Sequence, residues 1–196
     1  MAQTSTTLIS AKSHITSITG TDISLSATSG VYTISATSTV LTGAGKLAVG
    51  DLITVSGSAS NNSTFTVATV VSTTELTVSE VVTSENADGS STITLDHVGF
   101  VSDKAKGDGY YSQPDGVHTV AYQVANDFNA DATIKMQGTL ATTPTEDDWF
   151  DISGTTFTSD TSTLTSSFNF TGNYVWVRSK TQLLTAGTTN SILLNS

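Results

Sequence analysis

The side chains best equipped for chemistry are the seventeen acids, and their densest group is Glu146-Asp147-Asp148 with Asp151 close behind. Several carboxylate oxygens from one loop are what a hard cation such as calcium needs. The group lacks the alternating Asp-x-Asp-x-Asp-Gly order of a calcium loop, so a solvated turn ahead of a strand is the better reading. Asp103, Asp108 and Asp115 offer a thinner version of the same idea, diluted by Lys104 and Lys106. His97 and His118 are the candidate bases or metal ligands. Each lies in an alternating stretch, where a histidine is usually packed or hydrogen-bonded, and no Gly-x-Ser-x-Gly nucleophile motif accompanies either. No pair of acids is marked for glycoside cleavage, and Gly43-Ala-Gly-Lys46 lacks the spacing of a phosphate-binding loop. The chain has no cysteine, which excludes disulfides, thiolate metal sites and cysteine nucleophiles. The expectation is a protein that is not an enzyme and holds no metal and no cofactor.

Rings are the second resource. Trp149, Phe150, Phe157, Phe168, Phe170, Tyr174 and Trp176 gather in the last third of the chain. Alternation assigns Phe150, Phe170 and Trp176 to a core, while a sugar-stacking platform is the sharper use of such rings beside Asn and Asp. Tyr110 and Tyr111 fall in a glycine-rich stretch where burial within one chain is hard. They are candidates for contact with a neighbouring subunit, and so are Leu8 and Ile9 near the start.

The elements that must position these residues are strands. Period-two alternation recurs at 30–35, 38–42, 51–57, 65–71 and 75–80, rich in Val, Ile, Thr and Phe and separated by short polar links. A meander of that kind closes into a small barrel or curled sheet over 20–83. Residues 84–116 read as linker and irregular chain, with acids, Gly and Ser and one resumption of alternation at 92–96. Six further candidate strands, at 117–125, 132–140, 149–152, 167–170, 173–183 and 191–194, argue a β-sandwich or jelly roll over 117–196. In Tyr174-Val-Trp-Val-Arg178 alternation puts Tyr174, Trp176 and Arg178 on one face. Residues 1–19, rich in Ser and Thr, read as an extended arm that needs a partner to order it. The fold class is therefore all-β, with almost no helix signal.

Composition limits the partners. Net charge is -10 and about a third of the chain is Ser or Thr. Such a surface repels phosphate and anionic lipid, which speaks against nucleic acid and membrane. The first residues carry no basic region followed by an apolar run, so no signal peptide is expected.

The stretch Val49-Gly-Asp-Leu-Ile-Thr-Val-Ser-Gly-Ser-Ala-Ser-Asn-Asn-Ser-Thr-Phe-Thr-Val-Ala-Thr-Val, closing on Leu76-Thr-Val-Ser-Glu80, resembles a module of structural proteins of tailed bacteriophages. That module usually has glycine where this chain has Ser63. Gly138-Thr-Leu140, Pro144, Asp148-Trp-Phe-Asp151 and Phe170-Thr-Gly-Asn-Tyr-Val-Trp-Val-Arg178 look like a β domain of virion proteins in T4-like marine cyanophages. The two likenesses cover 20–82 and 113–196. They imply a structural protein made in the host cytoplasm and carried on the exterior of the virion. A capsid decoration or cement protein stabilising the assembled head is the first expectation. A tail, neck, baseplate or fibre appendage and a carbohydrate- or receptor-binding module are the others. The implied partners are the major capsid protein or tail and neck proteins, together with further copies in a homo-oligomer.

Overall fold

The structure, a computed structural model, describes residues 5–111, 116–159 and 164–195. Among these the chain is all-β, with two 3-10 turns, Asp108–Tyr111 and Glu146–Asp148. It divides into two compact units: Ile15–Phe100 forms one, and the residues up to His14 join those from Val101 onward in the other. The second unit is thus interrupted in sequence by the first, which is called the inserted unit below.

The first two strands, β1 (Ser5–Ile9) and β2 (Lys12–Ser13), belong to the interrupted unit. The inserted unit follows with β3 (Ile18–Gly20), β4 (Ile23–Thr28), β5 (Val31–Ala36), β6 (Asp51–Ser56), β7 (Thr64–Ser72), β8 (Glu75–Val78) and β9 (Ile93–Val101). They pair antiparallel in the order β3-β9-β6-β7-β8-β5-β4. The end strands β3 and β4 are separated in sequence by only Thr21 and Asp22. One face of this sheet is a continuous core: Ile23, Leu25, Ile34, Ile53, Val55, Phe65, Val67, Leu76, Val78, Ile93 and Leu95 are buried together. They recur at every second position, which is why β-branched and aromatic residues hold these strands. Ser29 and Gly30, at φ 51° and 79°, make the two-residue turn of the β4–β5 hairpin, since two positive φ angles match the strand twist.

Two sequence expectations change here. Residues 38–42 are not a strand: Ser38 and Thr39 bend around the Asp22 carboxylate, and the Leu41 and Thr42 amides donate to the Thr73 carbonyl. Within the expected linker, Ile93–Val101 is a nine-residue strand paired to both β6 and β3. Its polar centre, Asp96-His97, disguised it. His97 is buried, accepts from the Ile15 amide at 3.2 Å through Nδ1, and meets buried Asp51 at 3.3 Å through Nε2. A polar pair with its bonds made can sit inside a sheet.

The interrupted unit adds β10 (Ala105–Lys106), β11 (Val117–Val124), β12 (Thr133–Thr139), β13 (Phe150–Asp151), β14 (Phe157–Thr158), β15 (Thr165–Thr171), β16 (Trp176–Gln182) and β17 (Thr188–Asn195). One sheet runs β1-β17-β11-β15, with β2 also on β17. In the other layer β12 pairs with β16 and with the short β13 and β14, while β10 pairs with β16. The two layers face one another in the manner of a β-sandwich. Tyr122 of β11, fully buried, lies 6.0 Å from the Phe157 ring of β14 and donates its hydroxyl to the Thr155 carbonyl at 2.9 Å. Val120, Val124, Ile134, Met136, Val177, Ile192 and Leu194 fill the interior around it.

The residues expected as an arm differ from that expectation where they are described. Ser5–Ile9 is an antiparallel partner of the last strand, with Ser5 opposite Asn195 and Ile9 opposite Ile192. Its amides find carbonyls in the chain's own sheet, so no external partner is needed to order it.

Candidate binding face

The outward face of the β12–β16–β10 layer is where the sequence's scattered chemistry converges. The register sets Lys135 opposite Lys180, Gln137 opposite Arg178, Thr139 opposite Trp176, and Lys106 opposite Trp176 from the other side. Side chains at every second position share a face, so these residues stand together while Ile134, Met136, Val177, Ser179 and Thr181 point inward. Five of the seven basic residues of the chain, Lys104, Lys106, Lys135, Arg178 and Lys180, belong to this face or its rim. An acidic protein has therefore collected most of its positive charge in one place.

Arg178 anchors the arrangement. Its two terminal nitrogens donate to Glu146 at 2.9 and 2.7 Å, and its Nε donates to Gln137 Oε1 at 3.0 Å. The guanidinium lies 4.2 Å from the Trp149 ring centroid, combining a two-pronged carboxylate bond with a cation over a ring. Gln137 passes the chain on, donating to Asp151 at 2.9 Å, and Lys135 donates to the other Asp151 oxygen at 2.5 Å. Partial burial pushes the Asp151 carboxyl up, but the bonds from Lys135 and Gln137 outweigh it and hold the group below its ordinary value. Lys180 has no acid in bonding distance among the described residues. Its ammonium is pushed down, first by burial and then by the Arg178 and Lys135 charges.

The second half of the face is a stack of rings and lysines. Lys104 Nζ sits 4.5 Å from the Trp176 ring centroid, and Lys106 Nζ 4.1 Å from that of Tyr110 and 5.5 Å from that of Tyr111. Tyr110 packs on Trp176 at 4.8 Å, and Tyr111 meets Tyr110 edge-on at 5.2 Å. Trp176 is fixed by its indole N–H, which donates to the Thr142 carbonyl at 3.0 Å. Tyr110 and Tyr111 remain 42% and 57% exposed.

The other sequence candidates fall in separate places. Glu146, Asp147 and Asp148 form a 3-10 turn in which Asp148 accepts from the Thr145 amide and hydroxyl, and those bonds draw its carboxyl down. Glu146, Asp148 and Asp151 thus each accept two bonds, from Arg178, from Thr145, and from Lys135 and Gln137 respectively, and no group of three acids or histidines able to hold a metal occurs among the described residues. Asp108 accepts from the Gly116 amide at 2.6 Å and meets His118 Nε2 at 3.2 Å, while Asp115 lies outside the described residues. His118 is buried and stacked 5.0 Å from Phe170. Gly43 and Gly45, at φ 118° and 68°, make a plain turn. Phe170 is in the core, but Phe150 is 45% exposed and Trp176 faces outward, against the core assignment. Tyr174 lies outside β16 and covers Gly138 and Gly172, where a side chain would collide with its ring, so it does not share the Arg178 face. Ile9 is buried in its own sheet and Leu8 half-buried.

The lysines were invisible as a group because their pairing spans up to seventy-odd residues of sequence. Only the register of β10, β12 and β16 brings them together, and no local spacing encodes it. No protein-family model matches the chain, and no curated protein matches it.

Proposed function

We propose that the chain is a non-enzymatic structural component of a tailed-bacteriophage particle, a decoration or cement protein that binds and stabilises the assembled head. Its small β unit is read as a curled, barrel-like sheet and its larger one as jelly-roll-like. It is carried on the particle exterior, beside the major capsid protein or tail and neck proteins and further copies of itself. The motifs at 49–80 and 138–178 support this reading.

The observation that carries it is how carboxylates tie the turns of the inserted unit in a chain that has no cysteine for disulfides. One carboxylate, Glu85, accepts from the Ser58 hydroxyl, the Ala59 and Ser60 amides and the Asn61 side chain at 2.6–3.3 Å. Asp22 gathers Ser38 and Thr39 in the same way, and Asp88 gathers Ser90 and Ser91. Hydroxyls and amides pulled onto fixed carboxylates make rigid turns, as a shell component exposed to changing media requires. A protein that binds only the assembled shell stabilises it by mass action.

Quantitative mass spectrometry of purified particles tests the proposal. Hundreds of copies per particle support a head decoration, a few or a few dozen move it to a tail, neck or baseplate position, and absence from particles overturns it. Saturable binding of the purified protein to expanded empty heads is the matching binding assay.

A further inference from the structure

We propose that the outward face of the β12–β16–β10 layer binds a carboxylated polysaccharide, with Lys180, Lys106 and Lys104 receiving its carboxylates and Tyr110 and Tyr111 flanking the sugar rings.

Three observations lead there. The first is a cost the fold accepts. Lys135 and Lys180 are direct cross-strand partners, and like charges opposite one another destabilise a sheet. Asp151 bonds Lys135, whereas at Lys180 it and Glu146 act only at a distance and do not outweigh burial and the Arg178 and Lys135 charges. A chain with only seven basic residues that sets two of them face to face leaves a position an anion would relieve. The second is that the spare ammoniums are preorganised. Lys104 and Lys106 rest on the Trp176 and Tyr110 rings, so little side-chain freedom is left to lose when an anion arrives. The third is the chemistry already satisfied on the same face. Its other two cations are each matched by a carboxylate, Arg178 by Glu146 and Lys135 by Asp151. A polymer carrying carboxylates continues that series at Lys180, Lys106 and Lys104.

The surroundings favour a sugar over a protein. The residues that share this face, Thr133, Lys135, Gln137, Thr139, Trp176, Arg178, Lys180 and Gln182, include no aliphatic side chain, whereas the buried centre of a protein interface is largely apolar. Hydroxyls, amides, charges and aromatic rings are what a polysaccharide meets. Nucleic acid is the wrong match for three spare lysines, since duplex DNA carries a charge about every 1.7 Å. A polysaccharide with one carboxylate per sugar spaces its charges more widely. The net charge of -10 opposes any anion at long range, but screening at physiological salt confines that opposition to within about 8 Å, so the local face decides.

The test is a titration of the full chain with polygalacturonate, followed by tryptophan fluorescence through Trp176 and by calorimetry. Fully methyl-esterified polygalacturonate serves as the uncharged counterpart and dextran sulfate as the sulfated one. The expected result is saturable binding to polygalacturonate that weakens with salt, with no binding to the ester. A Lys104→Gln/Lys106→Gln/Lys180→Gln variant should bind at least about tenfold more weakly. Lys180→Gln alone should hold or raise the thermal midpoint, because the Lys135–Lys180 repulsion is gone while the lysine–ring contacts stay. Tyr111→Ser provides a second variant with a readout independent of charge and should also weaken binding. Equal binding to the ester, binding to dextran sulfate alone, or affinity unchanged in the triple variant overturns the proposal. Self-association at low salt that the same lysine substitutions abolish also overturns it, because the face would then be an interface between copies.

Discussion

Arg178 is the residue on which the binding face depends. It is nearly buried, bonded twice to Glu146 and once to Gln137, and covered by Trp149. Lysine keeps the charge but cannot make a planar two-pronged contact and a third bond together. Arg178→Lys should therefore cost about 1–2 kcal/mol, read as a lower urea midpoint with unchanged slope. An unchanged midpoint would mean that the guanidinium geometry is incidental. Gly57 is the comparable position in the inserted unit. Its φ is 78°, and a Cβ there would run into the Thr92 carbonyl oxygen. Gly57→Ala should lose about 2–4 kcal/mol, through combined backbone strain and collision, measured by the same unfolding titration.

Among the elements, the turns carry the pH dependence. Asp22 is held far below its ordinary value, first by the Thr39 hydroxyl and amide and then by Ser38. Glu85 is drawn below 4.5, first by the Ser58 hydroxyl, and Asp88 is lowered to about 2, first by Ser91. A carboxylate bound more tightly to its neighbours when charged lends stability above its unfolded pKa, and that contribution is lost as pH falls toward the folded one. Thermal midpoints should accordingly stay level from pH 7 to about 5 and fall as pH drops through about 4 toward 2. Glu85→Gln should flatten the upper part of that fall. A midpoint that holds to pH 2 would show that these turns contribute nothing.

The strands themselves were legible from alternation wherever one face is apolar. Val117–Val124, Thr133–Thr139 and Asp51–Ser56 lie within a residue or so of the expected bounds because Val, Ile and Thr repeat there with period two. Legibility failed where a buried histidine paired to a distant acid interrupts the apolar pattern, as at His97 in β9 with Asp51 of β6. It failed also at 38–42, where a distant carboxylate bends an otherwise strand-like sequence. The binding face was illegible for a related reason. Arg178 and Gln137 are each recognisable as polar residues, but the register that joins them is a property of paired strands.

For the whole molecule, the consequential feature is the pairing of β1 with β17. An extended arm would be dispensable to the isolated protein, whereas an edge strand that buries Ile9 would not. Deleting residues 1–9 should lower the thermal midpoint of the purified protein by at least about 5 °C, followed by circular dichroism. No change would restore the reading of these residues as an arm.

That pairing also sets an order of events during synthesis. Residues 15–100 hold all the strands of the inserted unit's core and can fold as soon as they clear the ribosome, while Ser5–Ile9 has to wait for Thr188–Asn195. At about 5–20 residues per second the delay lasts many seconds. Throughout it the nascent chain carries a finished inserted unit and an unpaired leading strand with Leu8 and Ile9 uncovered. The interval before the final strand emerges is therefore when newly made molecules are most exposed to exchanging that strand with one another.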